Sequence, residues 1–86
     1  MVQRVLLAED DELLRGQLID LLTARQFVVE SFGDGAAALD FGLNQIFDLA
    51  VIDLGLPKLP GLDLVKTLRA SGLDQPILIL TARGEI

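Results

Sequence analysis

Four short apolar runs divide the chain: Val5-Leu6-Leu7-Ala8, Phe27-Val28-Val29, Leu49-Ala50-Val51-Ile52 and Ile77-Leu78-Ile79-Leu80. Continuous runs of this length, bounded by acids, glycine or proline, predict short strands buried on both faces. The expected strands are 5–8, 27–31, 49–53 and 77–80. Between the first two, Leu14, Leu18, Leu21 and Leu22 recur at helical spacing with Arg15, Gln17 and Asp20 opposite, which predicts an amphipathic helix from Asp11 to Ala24. Asp34-Gly35 opens a second, alanine-rich helix to about Leu43. Gly61-Leu62 opens a third, with Leu64, Val65 and Leu68 along one side and Ser71-Gly72 as its stop. Strands alternating with helices predict right-handed crossovers and an α/β fold, a parallel sheet with helices on both faces.

The stretch Asp48 to Pro57 carries the chemistry. Asp53 falls where the third strand ends, and Gly55 and Pro57 turn the chain outward at once. Its carboxylate is therefore at the carboxyl rim of the sheet, where open α/β sheets bind ligands. Glu9 and Asp10 end the first strand in the same way. If the first and third strands are neighbours at the switch point, Glu9, Asp10 and Asp53 converge. Two carboxylates about 4 Å apart repel by roughly 4 kcal/mol at an effective dielectric near 20, so three together take up protons or hold a cation. All-oxygen ligation suits magnesium, and magnesium beside a nucleophilic carboxylate points to phosphoryl transfer onto an aspartate. Asp11 and Glu12 read as acids favouring a helix start, and Pro57 and Gly61 as residues shaping the loop. Lys58 and Arg83 are candidate surface contacts to a partner or a phosphoryl group.

Composition narrows the alternatives. At 86 residues the chain is one domain near the lower limit for a single core. With no cysteine and no histidine, disulfides, the usual zinc sites and the commonest general base are excluded. No apolar run approaches the roughly 20 residues of a membrane span, and Met1 to Ala8 is neither a signal peptide nor an anchor. A cytoplasmic setting without membrane contact is expected. A formal charge of -6 disfavours nucleic-acid binding by this chain, which would run on clustered Lys and Arg.

Ala8-Glu9-Asp10-Asp11, Val51-Ile52-Asp53-Leu54-Gly55-Leu56-Pro57 with Gly61 eight residues after Asp53, and Leu80-Thr81-Ala82-Arg83 together resemble the receiver domain of bacterial two-component response regulators. Leu54-Gly55-Leu56-Pro57 and Leu80-Thr81-Ala82-Arg83-Gly84 are most similar to the class whose receiver precedes a winged-helix DNA-binding domain. The resemblance implies a flavodoxin-like doubly wound sheet with strand order 2-1-3-4. It implies that Asp53 is the phosphoacceptor for a histidine kinase, and that Asp10, Asp53 and the Gly55 carbonyl hold Mg2+ with support from Glu9. Thr81 becomes the switch hydroxyl and Ala82 the small residue beside the phosphoryl group. The protein is then a switch and not an enzyme, with control of transcription as its output.

The sequence stops at Ile86, before the helix, strand and helix, and before the phosphoryl-pairing lysine, that this family carries after its fourth strand. The expectation is the amino-terminal part of a single receiver, residues 1–86, with no effector domain. Its fourth strand becomes an exposed apolar edge, which predicts homo-oligomers through that edge or by domain swapping. One rival is an interaction module or folding fragment of receiver ancestry that is not phosphorylated. Another is an aspartate-nucleophile phosphatase; its pattern has a second Asp two residues after the nucleophile, where this chain has Gly55.

Overall fold

The computed structural model describes residues 2–81. Its elements are β1 (Arg4–Ala8), α1 (Glu12–Ala24), β2 (Val28–Phe32), α2 (Gly35–Asn44), β3 (Leu49–Asp53), α3 (Gly61–Ala70) and β4 (Ile77–Leu80). All strand pairs are parallel, in the order β2-β1-β3-β4. From β1 the chain steps outward to β2, then returns past β1 to β3, so the winding reverses between β1 and β3.

Strand periodicity divides the core in two. Leu6, Ala8, Ala50 and Ile52 point to one face, where Ala38 of α2 and Leu64 and Leu68 of α3 cover them. Val5, Leu7 and Val51 point to the other, against Leu18, Ile19 and Leu22 of α1. Leu6, Leu7 and Ile52 are wholly buried, which is why these strands read as continuous apolar runs and not as alternations.

Helix ends follow local chemistry. The Asp11 side chain accepts from Leu14 N–H, and Asp34 from Ala37 N–H, capping α1 and α2. At the far ends of α1 and α3 the same closing motif appears twice. Gln26 N–H bonds to Thr23 and Phe27 N–H to Leu22; Gly72 N–H bonds to Arg69 and Leu73 N–H to Leu68. Both motifs place one residue at positive φ, Gln26 at 70° and Gly72 at 87°. Glycine is at ease there and glutamine is not.

Two expectations need correction. The second strand was expected over 27–31 but runs from Val28 to Phe32, because Phe27 N–H closes α1 and cannot enter the ladder. The inward stripe of α1 is Arg15, Leu18, Ile19 and Leu22, rotated from the stripe drawn through Leu14, Leu18, Leu21 and Leu22. Leu14 and Leu21 are 39% and 50% exposed, whereas Ile19 packs on the sheet. Arg15 can head an inward stripe because it lies above the sheet's rim, where its guanidinium finds a carbonyl.

Gln26→Gly is expected to stabilise the chain and Gly72→Ala to destabilise it, each on the order of 1 kcal/mol. Urea midpoints measured at unchanged slope will check both.

Candidate functional site

Ala8 pairs with Ile52 in the register of β1 and β3, so the next residues along, Glu9 and Asp53, leave the sheet side by side. Ligand oxygens of Glu9, Asp10 and Asp53 all lie within 4.8 Å of one another. Glu9 and Asp53 are buried, at 3% and 5% exposure, while Asp10 is exposed. They form the floor of an open cleft of about 410 Å³, walled by Leu14 and Leu18 of α1 and by Leu80 and Thr81 at the end of β4. A cleft of that size falls within the range of small-ligand sites, about 300–1,000 Å³.

Glu9 is fixed by three bonds. Its N–H donates to Phe32 O at 3.0 Å, its carbonyl accepts from Arg15 Nη1 at 2.9 Å, and its Oε2 accepts from Asp11 N–H at 3.0 Å. Burial pushes the Glu9 carboxyl above its ordinary value; the Asp11 N–H opposes that shift, and the neighbouring Asp53 and Asp10 add to it. Thus the acid held by these three bonds is one whose burial disfavours the charged form.

Asp53 is presented by a braced loop. Leu54 N–H bonds to Leu80 O at 3.2 Å, and Gly61 N–H returns to Leu54 O at 3.0 Å. A Cβ on Gly61 would lie 2.7 Å from Leu54 Cα, so α3 can start this close to β3 only with glycine there. Gly55 lies against the carboxylate itself: a Cβ built on it would be 3.7 Å from Asp53 Oδ2. Thr81 follows Leu80, the register partner of Asp53, and so reaches the same rim. Lys58 is in the left-handed region at φ 69° and is exposed. Ala82 and Arg83 lie outside the described residues.

The donor set fits a hard divalent cation. It offers only oxygen, it concentrates negative charge, and exposed Asp10 keeps one side open to water, the arrangement magnesium tolerates best. Sequence reasoning placed Glu9, Asp10, Asp53, Gly55 and Thr81 at this end of the sheet, and the fold brings them there. Arg15 was missed as a site residue, since a charged residue in an amphipathic pattern reads as solvated. Its spacing three, four and seven residues before Leu18, Ile19 and Leu22 was the available signal.

Residues 5–86 match the response regulator receiver domain family, and the chain belongs to it. It is 48% identical over 81 residues to the two-component response regulator PhoP of Pseudomonas aeruginosa, covering 94% of this chain and 36% of PhoP. It is 45% identical to PmrA of the same organism, over 96% of this chain and 38% of PmrA. The chain thus spans little more than a third of these relatives. Among solved structures it superimposes on the response regulator TrrA of Thermotoga maritima, in complex with Mg2+ and BeF, with a TM-score of 0.88 and 26% identity, over 93% of this chain and 70% of that one. Receiver domains of response regulators are in general switches that interact with histidine kinases. Among the described residues no helix is long and apolar enough to cross a membrane.

The raised Glu9 value sets the sign of a pH effect. Between the ordinary carboxylate value and the raised one, the folded chain holds a proton that the unfolded chain has released. The Glu9 contribution therefore favours the metal-free fold more as the pH is lowered through that window and less as it is raised. Glu9→Gln is expected to stabilise the metal-free protein at neutral pH by on the order of 1–2 kcal/mol. The gain should vanish in acid, and urea unfolding at both pH values will show it.

Proposed function

We propose that this chain is the phosphoacceptor portion of a two-component response regulator, with Asp53 taking a phosphoryl group from a histidine kinase. The observation that carries the reading is the buried Asp53 carboxylate, its oxygen within 4.8 Å of those of Glu9 and Asp10 at the floor of an open cleft. An Asp53 oxygen attacks phosphorus, the P–N bond to the kinase histidine breaks, and the electron pair returns to the imidazole nitrogen. The product is an acyl phosphate on Asp53.

Asp10, Asp53 and the Gly55 carbonyl are assigned to hold Mg2+, with Glu9 as support. Such an ion offsets the charge of the carboxylates and of the incoming phosphoryl oxygens. The complex of TrrA with Mg2+ and BeF supports magnesium as the ion, and beryllium fluoride has the shape and charge of a phosphoryl group. Thr81, at the cleft wall, is assigned the hydroxyl that turns to the phosphoryl oxygens, and Ala82 the small neighbour that leaves them room. Phosphorylation then biases a surface between two states, and the output is transcription in a longer protein of the PhoP kind. The setting is cytoplasmic, the chain itself does not bind nucleic acid, and it acts as a switch without turnover on an external substrate.

β4 occupies one edge of the described sheet, with Leu78 59% and Ile79 38% exposed. We assign self-association to this edge, by strand pairing or exchange between copies of the chain. Sedimentation at micromolar concentration is expected to show dimers or larger species; a single monomeric boundary removes the assignment.

The phosphoacceptor reading is tested by intact mass after incubation with magnesium and a small phosphodonor. One phosphoryl adduct is expected on the chain and none on Asp53→Asn. A folded chain that binds magnesium but takes up no adduct would leave a receiver-derived interaction module as the better description.

A further inference from the structure

The first residue of α2 touches the loop that carries the site. The N–H groups at a helix start have no partner within the helix. In α2, Ala37 N–H goes to the Asp34 side chain at 2.7 Å, while Gly35 N–H leaves the helix altogether and donates to Pro57 O at 3.1 Å. The same Pro57 carbonyl accepts from Leu59 N–H at 2.7 Å, closing a three-residue turn around Lys58.

With Lys58 at φ 69°, that turn is one that a residue with a Cβ avoids. Local preference does not set the loop's shape, so contacts from outside must. A Cβ on Gly35 would be 2.8 Å from the Leu59 carbonyl carbon and 2.9 Å from Leu59 Cβ, and would collide with the Leu59 carbonyl oxygen. No side chain fits between α2 and the loop. The loop from Leu54 to Pro60 is thus gripped twice, by Gly61 against Leu54 at its base and by Gly35 against Leu59 at its far side.

The segment leading into Gly35 is tied to the other half of the site. Phe32 O accepts from Glu9 N–H, and a Cβ built on Gly33 would be 3.2 Å from Nη1 of Arg15, which itself donates to Glu9 O. One short connection therefore runs from the Glu9 arm, through Gly33 and Asp34, to the loop that sets Gly55 beside Asp53.

We propose that Gly35 is a positioning residue for the cation site, holding the loop from Leu54 to Pro60 in register with the acids of β1 through its bond to Pro57 and its flush contact with Leu59. This rests on the reading of the acidic cleft as a divalent-cation site. Displacing the loop shifts Gly55 relative to Asp53 and weakens the cation without unfolding the sheet.

The test compares the unsubstituted chain, Gly35→Ala, and Val29→Ala as a control that loosens the opposite layer. Mn2+ affinity is measured by electron paramagnetic resonance, with backbone amide exchange alongside. Gly35→Ala is expected to stay folded, to bind Mn2+ about tenfold more weakly, and to exchange the Leu59 amide faster while β1 amides stay slow. Val29→Ala should keep its Mn2+ affinity. A folded Gly35→Ala with unchanged affinity overturns the proposal, as does an equal loss in Val29→Ala. Should Gly35→Ala not fold, the unsubstituted chain decides: saturating magnesium must slow exchange of the Gly35 amide, and no change there overturns the proposal. If the unsubstituted chain binds neither ion, the cation reading fails and the positioning role with it. Faster Leu59 exchange in Gly35→Ala would then still show the mechanical grip, so the two failures are told apart.

Discussion

Where the winding of a parallel sheet reverses, the connections that follow two neighbouring strands leave to opposite faces and open a crevice between the strands' carboxyl ends. In this protein the crevice between β1 and β3 receives Glu9, Asp10 and Asp53, with oxygens no more than 4.8 Å apart. Keeping these acids together at a buried rim is the constraint around which the local structure is built: burial first, and the neighbouring Asp53 and Asp10 after it, push the Glu9 carboxyl above its ordinary value. The Asp11 N–H on the Glu9 carboxylate, the Arg15 guanidinium on the Glu9 carbonyl, and two glycine-permitted contacts on the Asp53 loop hold these side chains in place. The core anchors them: β1 and β3 carry the wholly buried Leu6, Leu7 and Ile52, so the acids project from its most deeply buried part.

Much of this was legible in the sequence, for identifiable reasons. A strand buried on both faces has no polar positions to disguise it, so Val5–Ala8 and Leu49–Ile52 stood out, and the acids ending them could only be at the rim. Asp11 and Asp34 were readable as helix starts because their side chains do what short acids do there. The errors came from tertiary contacts that one-dimensional spacing does not carry. Leu14 and Leu21 fit a helical stripe as well as Ile19 does, and only the packing of α1 against the sheet face that carries Val5, Leu7 and Val51 selects the true one. Nor could spacing show that Phe27 would spend its N–H on closing α1, or that Gly35 would meet a loop more than twenty residues away.

The arrangement also sets stability against function. A sheet optimised only to stay folded would not bury Glu9 among two further carboxylates, and the upward shift of its carboxyl registers that cost. In an 86-residue chain with no disulfide to compensate, a penalty of even about 1–2 kcal/mol is a sizeable part of a total usually near 5–15 kcal/mol. On the function proposed above, a cation held by these carboxylates would lower the same cost and so couple its binding to folding stability. The cleft therefore carries an electrostatic cost in the metal-free fold, and burial of the Glu9 carboxyl is its largest cause. The loop from β3 to α3 is the common neighbour of the elements around it: Leu54 N–H bonds to Leu80 O at the end of β4, and Gly35 N–H at the start of α2 bonds to Pro57 O.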